Sequence, residues 1–207
     1  MPALNEAWKV AVLRAAEGTS LHMPLLLAVG TGMRKGDLLA LRWPDVDLEA
    51  GTLTVNQTLQ AAFGELHFKE PKTAKSRRRI TLPAFVVDAL RAHHAEQAKK
   101  TLAREPGFVE SDLVLPAPSG GPWWPSNFDR IWRRFKTKQN LAIRFHDLRH
   151  THATQLLKAG VHPKVVSERL GHASIGITLD TYSHVMPGMQ EEAAEKIDAG
   201  LRAALAG

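Results

Sequence analysis

Cysteine is absent from the 207-residue chain, and with it go disulfides, zinc–thiolate sites, iron–sulfur clusters and any cysteine nucleophile. Aromatic residues are few, at 6%, and tyrosine occurs once, as Tyr182. Long apolar runs are lacking too. The longest, Met23 to Val29, falls far short of the roughly 20 residues that cross a bilayer. The opening MPALNEAWKV carries Glu6 early and has no basic stretch leading into an apolar one, so it does not read as a secretory signal. Repeats, low-complexity tracts and Pro/Ser-rich linkers are missing, which predicts one domain over residues 1–207. These absences predict an intracellular, cytoplasmic protein without a membrane partner.

What is present is basic. Lysine and arginine number 27 against 21 acids, for a net charge of +6, a balance that fits an acidic partner such as nucleic acid. The charge is clustered. Residues 69–79 hold Lys69, Lys72, Lys75, Arg77, Arg78 and Arg79 against Glu70 alone. Residues 130–144 hold Arg130, Arg133, Arg134, Lys136, Lys138 and Arg144 with no acid. Residues 188–207 lean acidic. Two basic stretches beside a near-neutral remainder resemble a phosphate-contacting surface, with Lys75, Arg77, Arg78, Arg130, Arg133 and Arg134 as candidate contacts to a nucleic-acid backbone. The competing reading is a solvated helix face and a charged hairpin.

Patterning predicts a mostly α chain with a small antiparallel β-sheet near the front, an α+β class. Asn5 is placed to cap a helix reaching Glu17, with Gly18 as its stop. An apolar helix over 21–29, the turn Gly30-Thr31-Gly32 and a short helix over 35–42 follow. Residues 52–60, 67–69 and 79–82 are rich enough in β-branched residues to be strands of one sheet. Further helices are expected over 84–104, 126–138, 146–159, 163–170, 177–186 and 189–205.

Three segments carry chemistry. In Thr31-Gly-Met-Arg34-Lys-Gly-Asp37, an arginine follows a glycine turn at the mouth of a helix, where an anion is well received; on its own it also fits a surface loop. In Phe145-His146-Asp-Leu-Arg149-His150-Thr151-His152, His146 and Arg149 are three apart and share a helix face. A guanidinium grips two phosphate oxygens while an imidazole moves one proton. A metal site on His146 and His150 (i,i+4), with His152 nearby, is the rival, but no HExxH pattern is present. In Leu170-Gly171-His172 through Tyr182, a helix stops at glycine, presents His172, and leads ten residues later to the single tyrosine. A lone helical tyrosine is more often a packing residue than a nucleophile.

Taken in order and spacing, these segments resemble the tyrosine recombinases, the phage-integrase family. The arginine box is matched by Thr31-Gly32-Met33-Arg34 with Asp37, the H-x-x-R box by His146 and Arg149, the L-G-H box by Leu170-Gly171-His172, and the tyrosine box by Thr181-Tyr182-Ser183-His184. A family lysine on a β-hairpin falls in Pro71-Lys72-Thr73-Ala74-Lys75, with Lys72 favoured and Lys75 open. The resemblance implies a DNA breaking–rejoining catalytic-domain fold, in which Tyr182 attacks a phosphodiester to give a 3′-phosphotyrosyl link. It also implies that Arg34 and Arg149 clamp the phosphate, His146 takes the phenolic proton, His172 donates to the phosphate, and the lysine protonates the leaving 5′-oxygen. No metal, ATP or other cofactor is expected. The implied partner is double-stranded DNA, held by a tetramer whose free domain is a monomer. A type IB topoisomerase-like activity and a catalytically silent DNA-binding remnant are the alternatives. The family's N-terminal core-binding and arm-binding domains are not expected within residues 1–207.

The rest reads blandly. His93 and His94 are expected at the surface, Trp123 and Trp124 in loop packing, and Trp43 in the core; His184 is expected to pack or to touch the site. A helix over 189–205 has Ala193, Ile197, Leu201, Ala204 and Leu205 on one side. That stripe either closes the domain's own core or, by family analogy, docks on a neighbouring protomer.

Overall fold

The structure, a computed structural model, describes residues 6–70, 77–103, 109–182 and 189–205. Asn5, Lys72, Lys75 and His184 lie outside the described residues. In chain order the elements are α1 (Glu6–Ala16), α2 (His22–Thr31), α3 (Lys35–Leu39), β1 (Val46–Asp47), β2 (Thr52–Val55), β3 (Thr58–Ala62), β4 (Glu65–Lys69), β5 (Arg78–Thr81), α4 (Ala84–Leu102), α5 (Pro125–Lys138), α6 (Asp147–Lys158), α7 (Pro163–Leu170), α8 (Ile175–Tyr182) and α9 (Met189–Leu205). The mostly helical class with a small antiparallel component is as the patterning predicts.

Helix α2 is apolar all round because it is buried all round: Leu25 and Leu27 are fully covered, and α1, α4 and α6 all pack on it. Pro24 is tolerated because it lies in the first turn, where a backbone N–H would have no intrahelical acceptor. The helix ends at Gly32, left-handed at φ +67°, where an added Cβ would come within 2.7 Å of His152. The Thr31 hydroxyl, bonded to the Leu27 carbonyl and receiving the Met33 N–H, fixes the same turn.

The single sheet expected from the sequence is two. β1, β2 and β5 form one antiparallel sheet, with Leu53 opposite Ile80, and β3 pairs with β4 across a turn at Phe63-Gly64. The predicted strand over 52–60 breaks at Asn56-Gln57. There Asn56 donates to Asp45 and Gln57 to the Ala40 carbonyl, drawing the chain out of one ladder and into another. Hydrophobic alternation continues across that break, so patterning alone joins the two strands.

The main core gathers α2, the β2–β5 face and the aromatic group Trp123, Phe128, Trp132, Phe135 and Phe145. A second cluster of Ala153, Leu157, Val166, Leu170 and Tyr182 knits α6, α7 and α8 together. Two bland expectations are corrected, and one of the two readings of α9 is not met. His93 is half-buried, bonded to the Val114 carbonyl at 2.7 Å. Trp43 is only partly covered, resting on His94 and donating to Gln97. Ile197, Leu201 and Leu205 of α9 are exposed, at 63%, 59% and 86%, so this stripe does not close the domain's own core.

Candidate active site

Five segments far apart in the chain meet around a cavity of about 640 Å³, lined by Arg34, His146, Arg149, His150, His172 and Tyr182. Four of the expected chemical groups therefore come to one place with the tyrosine, and His150 joins them. Lys69, on β4, also lines this cavity; the favoured hairpin lysine, Lys72, and its alternative, Lys75, lie outside the described residues.

Each group is placed by local structure. Arg34 precedes α3 in extended conformation, and its guanidinium donates to the Gly171 carbonyl at 3.4 Å. Because α3 is a helix of only five residues, the charge of Arg34 itself, rather than a helix dipole, marks that end of the cavity. Arg149 is 4% exposed and donates to the carbonyls of Gly32 and Leu170, both at 2.8 Å. One guanidinium thus ties the glycine turn to the L-G-H segment. His146 immediately precedes α6 without a side-chain capping bond, and Asp147, accepting from the backbone and side chain of Arg144, fixes the entry to that helix.

Tyr182 ends α8 and is 3% exposed, its ring in the second core cluster. Its hydroxyl lies 2.7 Å from Nδ1 of His150. The family resemblance assigns the phenolic proton to His146; the imidazole within hydrogen-bond distance of the Tyr182 hydroxyl is that of His150. His146 stands one layer away, its ring edge-on to His150 with centroids 5.0 Å apart. The sequence carries a signal for His150 as the i,i+4 partner of His146, a spacing that fits a metal pair as well as a shared helix face. The third histidine of that rival, His152, faces elsewhere: Nδ1 bonds the Val29 carbonyl and Nε2 accepts from Arg169. No group of three acidic or histidine side chains placed to hold a metal occurs among the described residues.

The basic candidates divide. Arg130, Arg133 and Arg134 are exposed on α5 and Arg77 is exposed beside Glu70. Arg133 also lines a second cavity, of about 460 Å³, with Lys35, Lys136, Arg144 and His146. Arg78 departs from expectation. It is 8% exposed, donates to Asp37 at 3.0 Å and to the Arg169 carbonyl, and packs under Gly171. It is an internal strut, not a surface contact. Arg169, which the sequence reading passed over, braces the site from outside by bonding His152 and the carbonyls of Thr81 and Gly30.

Electrostatically the cavity is mainly cationic: Arg34, Lys69 and Arg149 line it, and the one carboxylate among its described lining residues, Glu70, is paired with Arg77. Burial, then Arg34 and Arg78, lower the Arg149 guanidinium to about 9, so it stays charged at neutral pH. Burial, then Arg149, Arg34 and Arg78, hold His172 down to about 4. His146 and His150 are lowered, first by burial. Burial raises the Tyr182 phenol, opposed by Arg149. A neutral phenol beside a neutral imidazole, facing guanidiniums that repel one another, is a site arranged to receive an anion.

His152, 8% exposed, is lowered to about 4 from an ordinary 6.5, first by burial. The folded value lies below the unfolded one, so the unfolded chain binds more protons in between. The contribution is whole above pH 6.5 and is lost as pH falls toward 4, at up to about 1.4 kcal/mol per pH unit. Urea midpoints should therefore drop between pH 7 and pH 4.5, and less steeply in His152→Gln than in the parent. A parent midpoint that holds or rises on acidification would contradict this.

The comparisons with known proteins follow the same line. Residues 2–188 match the profile of the phage integrase family. The chain belongs to the phage integrase family. It is 32% identical over 200 residues to a "Tyrosine recombinase XerC-like" protein of Caldanaerobacter subterraneus subsp. tengcongensis, covering 90% of this chain and 51% of that protein. To the ICEBs1 integrase of Bacillus subtilis it is 32% identical over 170 residues, covering 81% and 46%. This integrase-family chain thus spans about half the length of the curated relatives it matches. Among solved structures, the Tn1549 transposon integrase bound to circular intermediate DNA superposes with a TM-score of 0.79 at 22% identity, covering 94% of this chain and 65% of that one. The catalytic domain of bacteriophage HP1 integrase superposes at 0.59 with 16% identity, covering 93% and 92%. These likenesses establish the fold as that of the tyrosine-recombinase catalytic domain. No helix among the described residues is long and apolar enough to cross a membrane.

Proposed function

We propose that this chain is the single catalytic domain, residues 1–207, of a tyrosine-type site-specific DNA recombinase, which cuts and rejoins strands through a 3′-phosphotyrosyl intermediate without metal or ATP. The observation that carries the reading is the 2.7 Å contact between the Tyr182 hydroxyl and His150 at the edge of a cavity walled by Arg34, Arg149 and His172.

The chemistry balances with these groups. Tyr182 Oη attacks phosphorus and its proton passes to the bare Nδ1 of His150. Arg34 and Arg149 bind the non-bridging oxygens and stabilise the added charge of the transition state, with His172 donating a further hydrogen bond and His146 beside them. The bond to the 5′-oxygen breaks as Lys72 or Lys75 protonates it. A strand's 5′-hydroxyl later reverses the step, so the energy of the broken bond is kept and no nucleotide is consumed. Arg77, Arg130, Arg133 and Arg134, with Lys75, contact the backbone of double-stranded DNA, and that affinity falls steeply with salt. The exposed apolar stripe of α9 supports docking between protomers, with a monomer in solution and a tetramer on DNA, in the cytoplasm of a bacterial or phage-infected cell.

The test is site-independent. Protein mixed with supercoiled plasmid in EDTA and quenched with detergent is expected to yield protein covalently joined to DNA through a 3′ end. Adduct that requires added divalent metal would sink the metal-free chemistry. Plasmid bound in a salt-dependent way, with no adduct at any time, would instead favour the silent DNA-binding remnant.

A further inference from the structure

His172 reaches the cavity from just past the left-handed Gly171, and its Nδ1 lies 2.8 Å from the Thr178 hydroxyl oxygen. Thr178 is completely buried, at 0% exposure, and its hydroxyl has no other hydrogen-bond partner among the described residues. A hydroxyl and an imidazole nitrogen can pair in two ways. In one, the hydroxyl donates to a bare Nδ1 and the ring proton sits on Nε2. In the other, Nδ1–H donates to the hydroxyl oxygen and Nε2 is bare. The second leaves the hydroxyl hydrogen unpaired where water does not reach, a cost the first avoids.

The choice matters at the far side of the ring. The first arrangement presents an N–H to the cavity, where Arg34 and Arg149 wait for an anion; the second presents a lone pair that a phosphate oxygen would repel. We infer that Thr178 is a positioning residue that locks His172 as the Nε2–H tautomer and thereby makes it a hydrogen-bond donor to the bound phosphate. The phosphate part rests on the function proposed above. His172 is held neutral at pH 7, so tautomer rather than charge decides whether it donates. Thr178 is four residues before Tyr182 on α8, and the two share the buried face of that helix. The helix carrying the nucleophile therefore also sets the phosphate donor, and a shift of α8 that withdraws Tyr182 releases His172 with it.

Long-range ¹H–¹⁵N spectra of the histidines at pH 7, titrated with inorganic phosphate, test the lock in the parent chain, Thr178→Val and Thr178→Ser. Parent and Thr178→Ser should carry the His172 proton on Nε2, with that resonance moving as phosphate is added. Thr178→Val should show mixed tautomers and phosphate affinity about fivefold weaker, the effect of one lost hydrogen bond. In single-turnover plasmid cleavage Thr178→Val should be slower by about tenfold to a hundredfold with plasmid affinity nearly unchanged, and Thr178→Ser should recover most of the rate. A parent His172 protonated on Nδ1, or a Thr178→Val that keeps the parent's tautomer, would overturn the inference. Thr178→Ala serves in place of a Thr178→Val that does not fold. A tautomer that is lost in Thr178→Val supports the lock even where no adduct forms, since missing adduct counts against the tyrosine chemistry alone.

Discussion

Tyr182→Phe is expected to remove covalent DNA adduct altogether, a fall of at least about 10⁴-fold, the scale seen when an enzyme loses its nucleophile. The substitution deletes a single oxygen. The ring stays in the cluster with Leu157, Val166 and Leu170, and only the hydrogen bond to His150 is lost, so stability should change by about 1 kcal/mol. DNA retention should be unaltered, because the cationic groups around the cavity are untouched. No second phenol exists to substitute, since Tyr182 is the only tyrosine. His150→Asn provides the comparison. It keeps a polar side chain but no basic nitrogen, and should slow cleavage by about a hundredfold, the range of a lost general base, while adduct still accumulates. Denaturing gels of plasmid reactions in EDTA read both variants. Adduct persisting in Tyr182→Phe would remove the nucleophile from this residue; His150→Asn cleaving at the parental rate would remove the proton acceptor.

Arg149→Lys should be nearly as severe, with single-turnover cleavage reduced by about 10³- to 10⁵-fold, as for arginines that stabilise phosphoryl-transfer transition states. The reason is geometric. The buried guanidinium reaches the Gly32 and Leu170 carbonyls through two different nitrogens while its plane borders the cavity. A lysine ammonium is a single point with no fork, and cannot hold both carbonyls and grip two phosphate oxygens. Arg149→Ala would leave those two acceptors unpaired, costing about 1–3 kcal/mol for each buried group, so its lost activity would mix chemistry with folding. Arg34→Lys is the control. Arg34 is exposed and holds one long bond to Gly171, so stability should be within about 0.5 kcal/mol of the parent while cleavage still falls. Arg149→Lys within tenfold of the parental rate, with an unchanged urea midpoint, would show that Arg149 is architectural only.

Much of this site was legible before any coordinates. Glycine turns and helix stops announce themselves in sequence because they rest on local backbone rules. Gly32 and Gly171 are such cases, both left-handed. The helix over 163–170 begins at a proline and ends at a glycine, and the structure keeps both bounds. Residue types with unusual chemistry at fixed spacing, as in His146 and Arg149, are legible for the same reason: helix geometry alone puts them on one face. The split of 52–60 into two strands was not, because it depends on Asp45 and Ala40 supplying distant partners to Asn56 and Gln57. The burial of Arg78 was not either. In the sequence it is one of three adjacent arginines, and only the approach of Asp37 and α7 separates it from its exposed neighbours Arg77 and Arg79.

The chain alone therefore determined the class, the family resemblance and the set of reactive groups, since composition, periodicity and motif spacing are properties of neighbours in sequence. Tertiary structure decided which imidazole meets the phenol, which arginine is a strut, and which hydroxyl sets a tautomer. Those assignments turn on contacts of about 3 Å between residues 32 and 41 positions apart, as for His150 with Tyr182 and Asp37 with Arg78, and on burial, which selects one proton arrangement by leaving the other unpaired.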